Sequence, residues 1–207
     1  MLLTIGDRGL RMVGVVLLSA VALSAQEATA PLAAPLLTVE QQISVAVLPL
    51  PAEMRAGASV LGYRGDGTLV PLRKGTGGMT CLAPNRSAPR FHVACYHHSL
   101  EPFMARGRSL RTSGVTGDAV DSARFREIKS GRLAMPKTPA SLYSLTGDWT
   151  TLDVASLTTK GARPLFVVYI PFATTQTTGL PERPARETPW LMNAGTPKAH
   201  IMFVPAM

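Results

Sequence analysis

Residues 59–73, SVLGYRGDGTLVPLR, decide the fold. Two apolar runs, Ser59-Val-Leu-Gly-Tyr63 and Thr68-Leu-Val-Pro-Leu-Arg73, flank Arg64-Gly-Asp-Gly67. An Asp-Gly between such runs is a strong hairpin signal, because glycine reaches the positive-φ turn conformation without steric cost. The chain therefore contains an antiparallel strand pair. Proline has no N–H to give to a ladder, so Pro71 marks an edge or a bulge in the second strand. Arg64-Gly-Asp66 also spells a cell-adhesion tripeptide, but a hairpin tip needs those residues anyway.

Working toward the C-terminus, Gly75-Thr-Gly-Gly78 reads as a turn into a third strand, Met79–Ala83, with a fourth at Phe91–Tyr96. Ser99 is placed to cap a helix, with Pro102 tolerated in its first turn. Leu100, Phe103, Met104, Gly107 and Leu110 form one apolar stripe at helical spacing, and Gly114 ends it. A second helix is predicted over Asp118–Lys129, with Gly131 as its stop. Ser141–Leu145 reads as a strand. Pro164–Phe172, PLFVVYIPF, reads as a central strand, and Ala199–Val204, AHIMFV, as a last buried one. Residues 173–197 between them read as a long loop, a length that tends to carry function.

Toward the N-terminus, Thr38-Val-Glu-Gln41 has the form of a capping box ahead of a short helix over 39–48, although its valines suit a strand equally well. Residues 26–37, QEATAPLAAPLL, are rich in Ala and Pro and read as a flexible lead-in. The pattern predicts one α+β domain over 38–207, a mostly antiparallel sheet with two helices packed on one face.

Residues 1–25 read as an export signal. Arg8 and Arg11 outweigh Asp7, the uninterrupted apolar stretch Met12–Leu23 follows, and Ser24-Ala25 supplies small residues for cleavage after Ala25. That stretch is short of the ~20 residues that span a bilayer as a helix. No later segment is long and apolar enough to be transmembrane, so the expected location is periplasmic or extracellular. Loss of two basic and one acidic residue with the signal lowers the net charge only from +8 to +7. The remaining charges are scattered. Their densest stretch, Arg106, Arg108 and Arg111, has no interleaved aromatics and reads as a solvated helix face, so no nucleic-acid partner is expected.

Cys81 and Cys95 are the two cysteines of the chain. In an exported protein such a pair is expected to form a disulfide, worth roughly 3 kcal/mol for a loop of this length. Potential metal ligands gather around it: His92, His97 and His98, with Glu101 behind and His200 distant. Imidazole and carboxylate suit zinc or copper. Yet the spacing matches no strong metal motif, and a disulfide removes Cys95 as a thiolate. Hydrogen-bonded or exposed histidines at a strand–helix junction are the commoner arrangement. Ser99 beside His98 lacks the Gly-x-Ser-x-Gly setting of a nucleophile, and a cap explains it better. Asn85-Arg-Ser87 is a glycosylation sequon by pattern. Trp190, placed in the long loop, is the better ligand-stacking candidate of the two tryptophans.

Leu72-Arg-Lys-Gly-Thr76, Met79-Thr-Cys-Leu82, Cys95, Pro171-Phe-Ala-Thr174, Pro189-Trp190 and Ala199-His-Ile-Met-Phe-Val-Pro205 occur in this order. In that order they resemble a group of small exported bacterial proteins of unknown function, in patches over about residues 58–207. The resemblance implies export and cysteine pairing, and it implies no activity. The inter-cysteine stretch is polar in that group but runs Ser87-Ala-Pro-Arg-Phe-His-Val-Ala94 here, so contacts made there do not carry over.

The expected function is that of a non-enzymatic, exported domain that binds a small ligand, an envelope component or a partner protein and needs no cofactor. The alternative is a metal-binding protein or metal-dependent hydrolase built on His92, His97 and His98.

Overall fold

The computed structural model describes residues 34–184 and 188–205. The export signal, its cleavage point and residues 26–33 of the lead-in lie outside the described residues. Helix α1 (Val39–Ala46) starts in a full capping box: Thr38 Oγ1 accepts from Gln41 N, and Gln41 Oε1 accepts from Thr38 N. The amide of buried Gln42 then behaves like a strand residue, accepting from Tyr63 N at 2.8 Å and donating to Tyr63 O at 3.0 Å. It latches α1 to the first strand. After the short helix α2 (Ala52–Arg55), β1 (Ser59–Tyr63) and β2 (Leu69–Arg73) form the expected hairpin, with Gly67 at φ +81° and Asp66 Oδ1 accepting from Thr68 N. Val60 pairs with Arg73 but Leu61 with Pro71, so Leu72 is left over. Pro71 thus lies at a bulge on an edge strand, both of the places where a missing N–H costs least.

The remaining strands are β3 (Met79–Leu82), β4 (Phe91–His97), β5 (Ala140–Gly147), the small ribbon β6 (Leu152–Asp153) and β7 (Thr158–Thr159), β8 (Arg163–Tyr169), β9 (Trp190–Met192) and β10 (His200–Phe203). Eight of them make one sheet in the order β2-β1-β3-β4-β5-β8-β10-β9. Every pairing is antiparallel except β1 with β3. The fold is α+β, as the sequence pattern predicts.

The two predicted helices, α3 (Glu101–Thr112) and α4 (Asp118–Lys129), pack together on one face. Leu100, Phe103, Phe125 and Ile128 meet Tyr96, Leu142 and Val167 there. The opposite face is covered by α1 and the turn after it, with Ala46 and Leu50 on Val60, Cys81 and Cys95. Leu152 of the ribbon and Leu37 close over Phe91 and Val93. The end of the lead-in is therefore tied down, and the sheet has helices on both sides.

Three local expectations are corrected. Ser99 does not cap α3. A 3-10 turn, His98–Leu100, precedes that helix, and the His97 side chain accepts from Ser99 N instead. Residues 173–197 are not one loop: Thr174 and Thr177 cap the turn α5 (Thr175–Thr178), and β9 supplies an edge strand. Arg106 and Arg108 are not simply solvated, since each holds a carboxylate at 2.6 Å, Glu127 and Glu101 respectively.

Cys81 and Cys95 stand directly opposite each other on β3 and β4, fully buried, with sulfurs 2.10 Å apart. Removal of both, as Cys81→Ala/Cys95→Ala, should lower unfolding stability in urea by about 3 kcal/mol. Reductant should destabilise the wild-type chain by a similar amount and leave the variant unchanged.

Candidate functional site

The histidines do not converge. His92 and His97 are five residues apart on β4, so strand alternation sends them to opposite faces of the sheet. His92 Nδ1 lies 2.8 Å from Thr146 Oγ1, while His200 stands on β10, three strands away in the sheet order. The His97 and His98 rings are neighbours, with centroids 4.3 Å apart. Both are engaged locally: His97 Nδ1 faces the Ser99 hydroxyl at 2.8 Å and accepts its N–H, and His98 Nδ1 lies 3.1 Å from Gly78 O. His97 Nδ1 thus closes the turn into α3, with the Ser99 hydroxyl and N–H both beside it. Glu101 is taken by the Tyr96 hydroxyl and by Arg108 Nη2. Among the described residues no group of three His, Cys, Asp or Glu is gathered as a metal requires.

Trp190, the predicted stacking residue, is buried on β9 and only 7% exposed, with an indole N–H that finds no hydrogen-bond partner among the described residues. It belongs to the interior of the sheet end.

A different polar cluster ties that end of the sheet to the helices. Arg124 is 4% exposed and lies over the Phe103 ring, its guanidinium carbon 3.7 Å from the centroid. It donates to Phe103 O and to Asp121 Oδ1, whose second oxygen accepts from Lys198 Nζ at 2.8 Å. A Cβ on Gly107 would stand 2.8 Å from Arg124 Nη1, so glycine there makes the room. Burial works to raise the Asp121 pKa, but the bonds from Lys198 and Arg124 outweigh it and hold the carboxyl below its usual range. His200 donates through Nδ1 to Lys198 O at 2.7 Å and stacks on Tyr169. Burial pushes its pKa down against the opposing bond to Lys198 O, while burial drives the Tyr169 hydroxyl up to about 12. Only the Asp121 position near a helix start was legible in the sequence; its partners are 3 and 77 residues away.

Two concave surfaces stand out among the described residues. Beyond β4, the sheet face that carries α1 opens into a groove of about 560 Å³ lined by Tyr143, Phe166, Val168, Phe203 and Val204. Tyr143 and Phe166 meet edge to face at 5.3 Å, and Phe203 and Val204 are 37% and 50% exposed. The signal for this groove lay in PLFVVYIPF, a run apolar at consecutive positions and hence on both faces of its strand, one of which stays open. The second groove, of about 480 Å³, lies between the start of α1, the β1–β2 turn and the β3–β4 loop.

The chain matches no family model, and no curated protein or solved structure is significantly similar to it.

The unfolded chain takes up protons on its imidazoles near pH 6.5, before buried His200 and desolvated His97 do in the native state. Stability should therefore be full above about pH 6.5 and fall across the acidic window below it. Urea unfolding at the two ends of that window measures the drop, and His200→Asn, which keeps a donor toward Lys198 O, should reduce it.

Proposed function

We propose that this chain is an exported binding domain, periplasmic or secreted, that takes a ligand or partner with an apolar surface and carries out no chemistry of its own. One observation carries the reading: the open aromatic groove of Tyr143, Phe166 and Phe203 on a sheet whose neighbouring strands are covered. Folding leaves single apolar residues exposed without consequence, but a contiguous concave patch usually marks a contact site. The volume is within the range of small-molecule and peptide sites, and the walls are rigid because they stand on paired strands. Aromatic rings give a binder large contact area at low entropic cost.

Export is supported by the N-terminal charge and apolar pattern together with the buried disulfide, since such bonds persist in oxidising compartments. Among the described residues no helix is long and apolar enough to cross a membrane.

The test is an apolar probe and a cross-linking scan. The dye 8-anilinonaphthalene-1-sulfonate should bind the folded protein saturably, and Phe203→Ala with Phe166→Ala should weaken it about tenfold or more. Because Phe203 is partly exposed, F203A should melt close to the wild type. A photo-crosslinking residue at 203 should capture an envelope component that the same residue at exposed Lys160 does not. Unchanged dye affinity in both variants, or turnover of a substrate that the variants leave intact, would count against the proposal.

A further inference from the structure

The second groove carries a different chemistry from the first. Large apolar side chains exposed among the described residues number five, and two of them, Leu36 at 77% and Val39 at 47%, stand on its rim. The half-buried indole of Trp149 forms another wall, fixed by its N–H to Ala88 O at 3.0 Å and by its edge-to-face contact with Phe91. Facing this apolar surface are two guanidinium groups, Arg64 on the hairpin turn and Arg86 on the β3–β4 loop.

Neither arginine is used up by the fold. Arg86 spends its Nε on Ala34 O, and among the described residues its terminal nitrogens make no hydrogen bond. The Arg64 guanidinium likewise forms no ion pair within 4.0 Å among them. One carboxylate shares the groove, Asp66, and its Oδ1 is occupied by Thr68 N. The groove therefore holds two cations to one anion beside a flat ring and aliphatic rim.

We infer that this groove binds a small organic carboxylate, its anion held between Arg64 and Arg86 and its apolar body laid along Leu36, Val39 and Trp149. Guanidinium is the group best matched to a carboxylate, because its planar donors can meet both oxygens at once. The apolar wall selects against inorganic anions, which have no surface to bury. The surplus of positive charge selects against neutral apolar molecules, which would leave the arginines as well solvated without them. Gln42 supports the arrangement: its amide joins α1, which begins at Val39, to Tyr63 beside Arg64.

The probe is 4-phenylbutyrate, titrated calorimetrically into the full chain, with 4-phenylbutyramide and sulfate as the two halves of its chemistry. The acid should bind saturably and about tenfold or more tighter than either control. R64Q and R86Q should each weaken the acid toward the amide, and Leu36→Ser should weaken acid and amide together. All three positions are exposed, and thermal melting confirms that each variant is folded. Equal binding of acid and amide, equal binding of sulfate, failure of the acid to bind, or an R64Q/R86Q double variant with unchanged affinity would overturn the inference. F203A serves as the control that separates this groove from the aromatic one, and it should leave acid binding unchanged.

Discussion

Strand β4 is buried on both faces, and the rest of the molecule is arranged around that burial. Phe91, Val93 and Cys95 point into the core under α1, while Tyr96 points into the core under α3. A slip of one residue would exchange those sets and leave both cores wrong. Three constraints fix the register. The disulfide pairs Cys95 with Cys81, the ladder to β5 runs unbroken from Phe91 to Tyr96, and His97 ends the strand by capping the turn into α3. Helix α3 then has a set starting point, and its apolar stripe falls on the neighbouring strands without further adjustment.

Part of the excess of basic residues, which from composition alone could suggest a polyanionic partner, is used within the fold. Arg55 donates to Leu48 O and Leu50 O, and Arg73 donates to Ala58 O and Arg55 O. These carbonyls lie in the turns between α1 and β1, where no ladder or helix satisfies them. Arg106, Arg108 and Arg124 are paired with carboxylates. Part of the positive charge thus serves backbone and carboxylate acceptors, and Arg64 and Arg86 differ in lining a groove.

Local signals were legible and long-range ones were not. The hairpin, the capping box at Thr38 and α4 are each written within about fifteen consecutive residues, because turn chemistry and helical periodicity are local. The two-sided cover was hidden, since α1 is eight residues of ambiguous propensity whose place depends on the Gln42–Tyr63 latch 21 positions away. The strand at Trp190 was hidden for the same reason: threonines and prolines around it read as loop, and only pairing with β10 makes it a strand. The histidines looked like a cluster because sequence proximity ignores which face of a strand a side chain occupies. The aromatic groove required knowing where α1 stops.

The order of strands has a consequence for how the molecule comes into being. β9 pairs only with β10 in the sheet, and β10 is the last element in the chain, inserted between β8 and β9. The segment from Ile170 to Asn193 therefore has no sheet to join until residues 200–203 have been made. Lys198, which neutralises Asp121 beside buried Arg124, arrives at the same late moment. One end of the sheet and the polar clamp beneath α4 are thus completed together, and late.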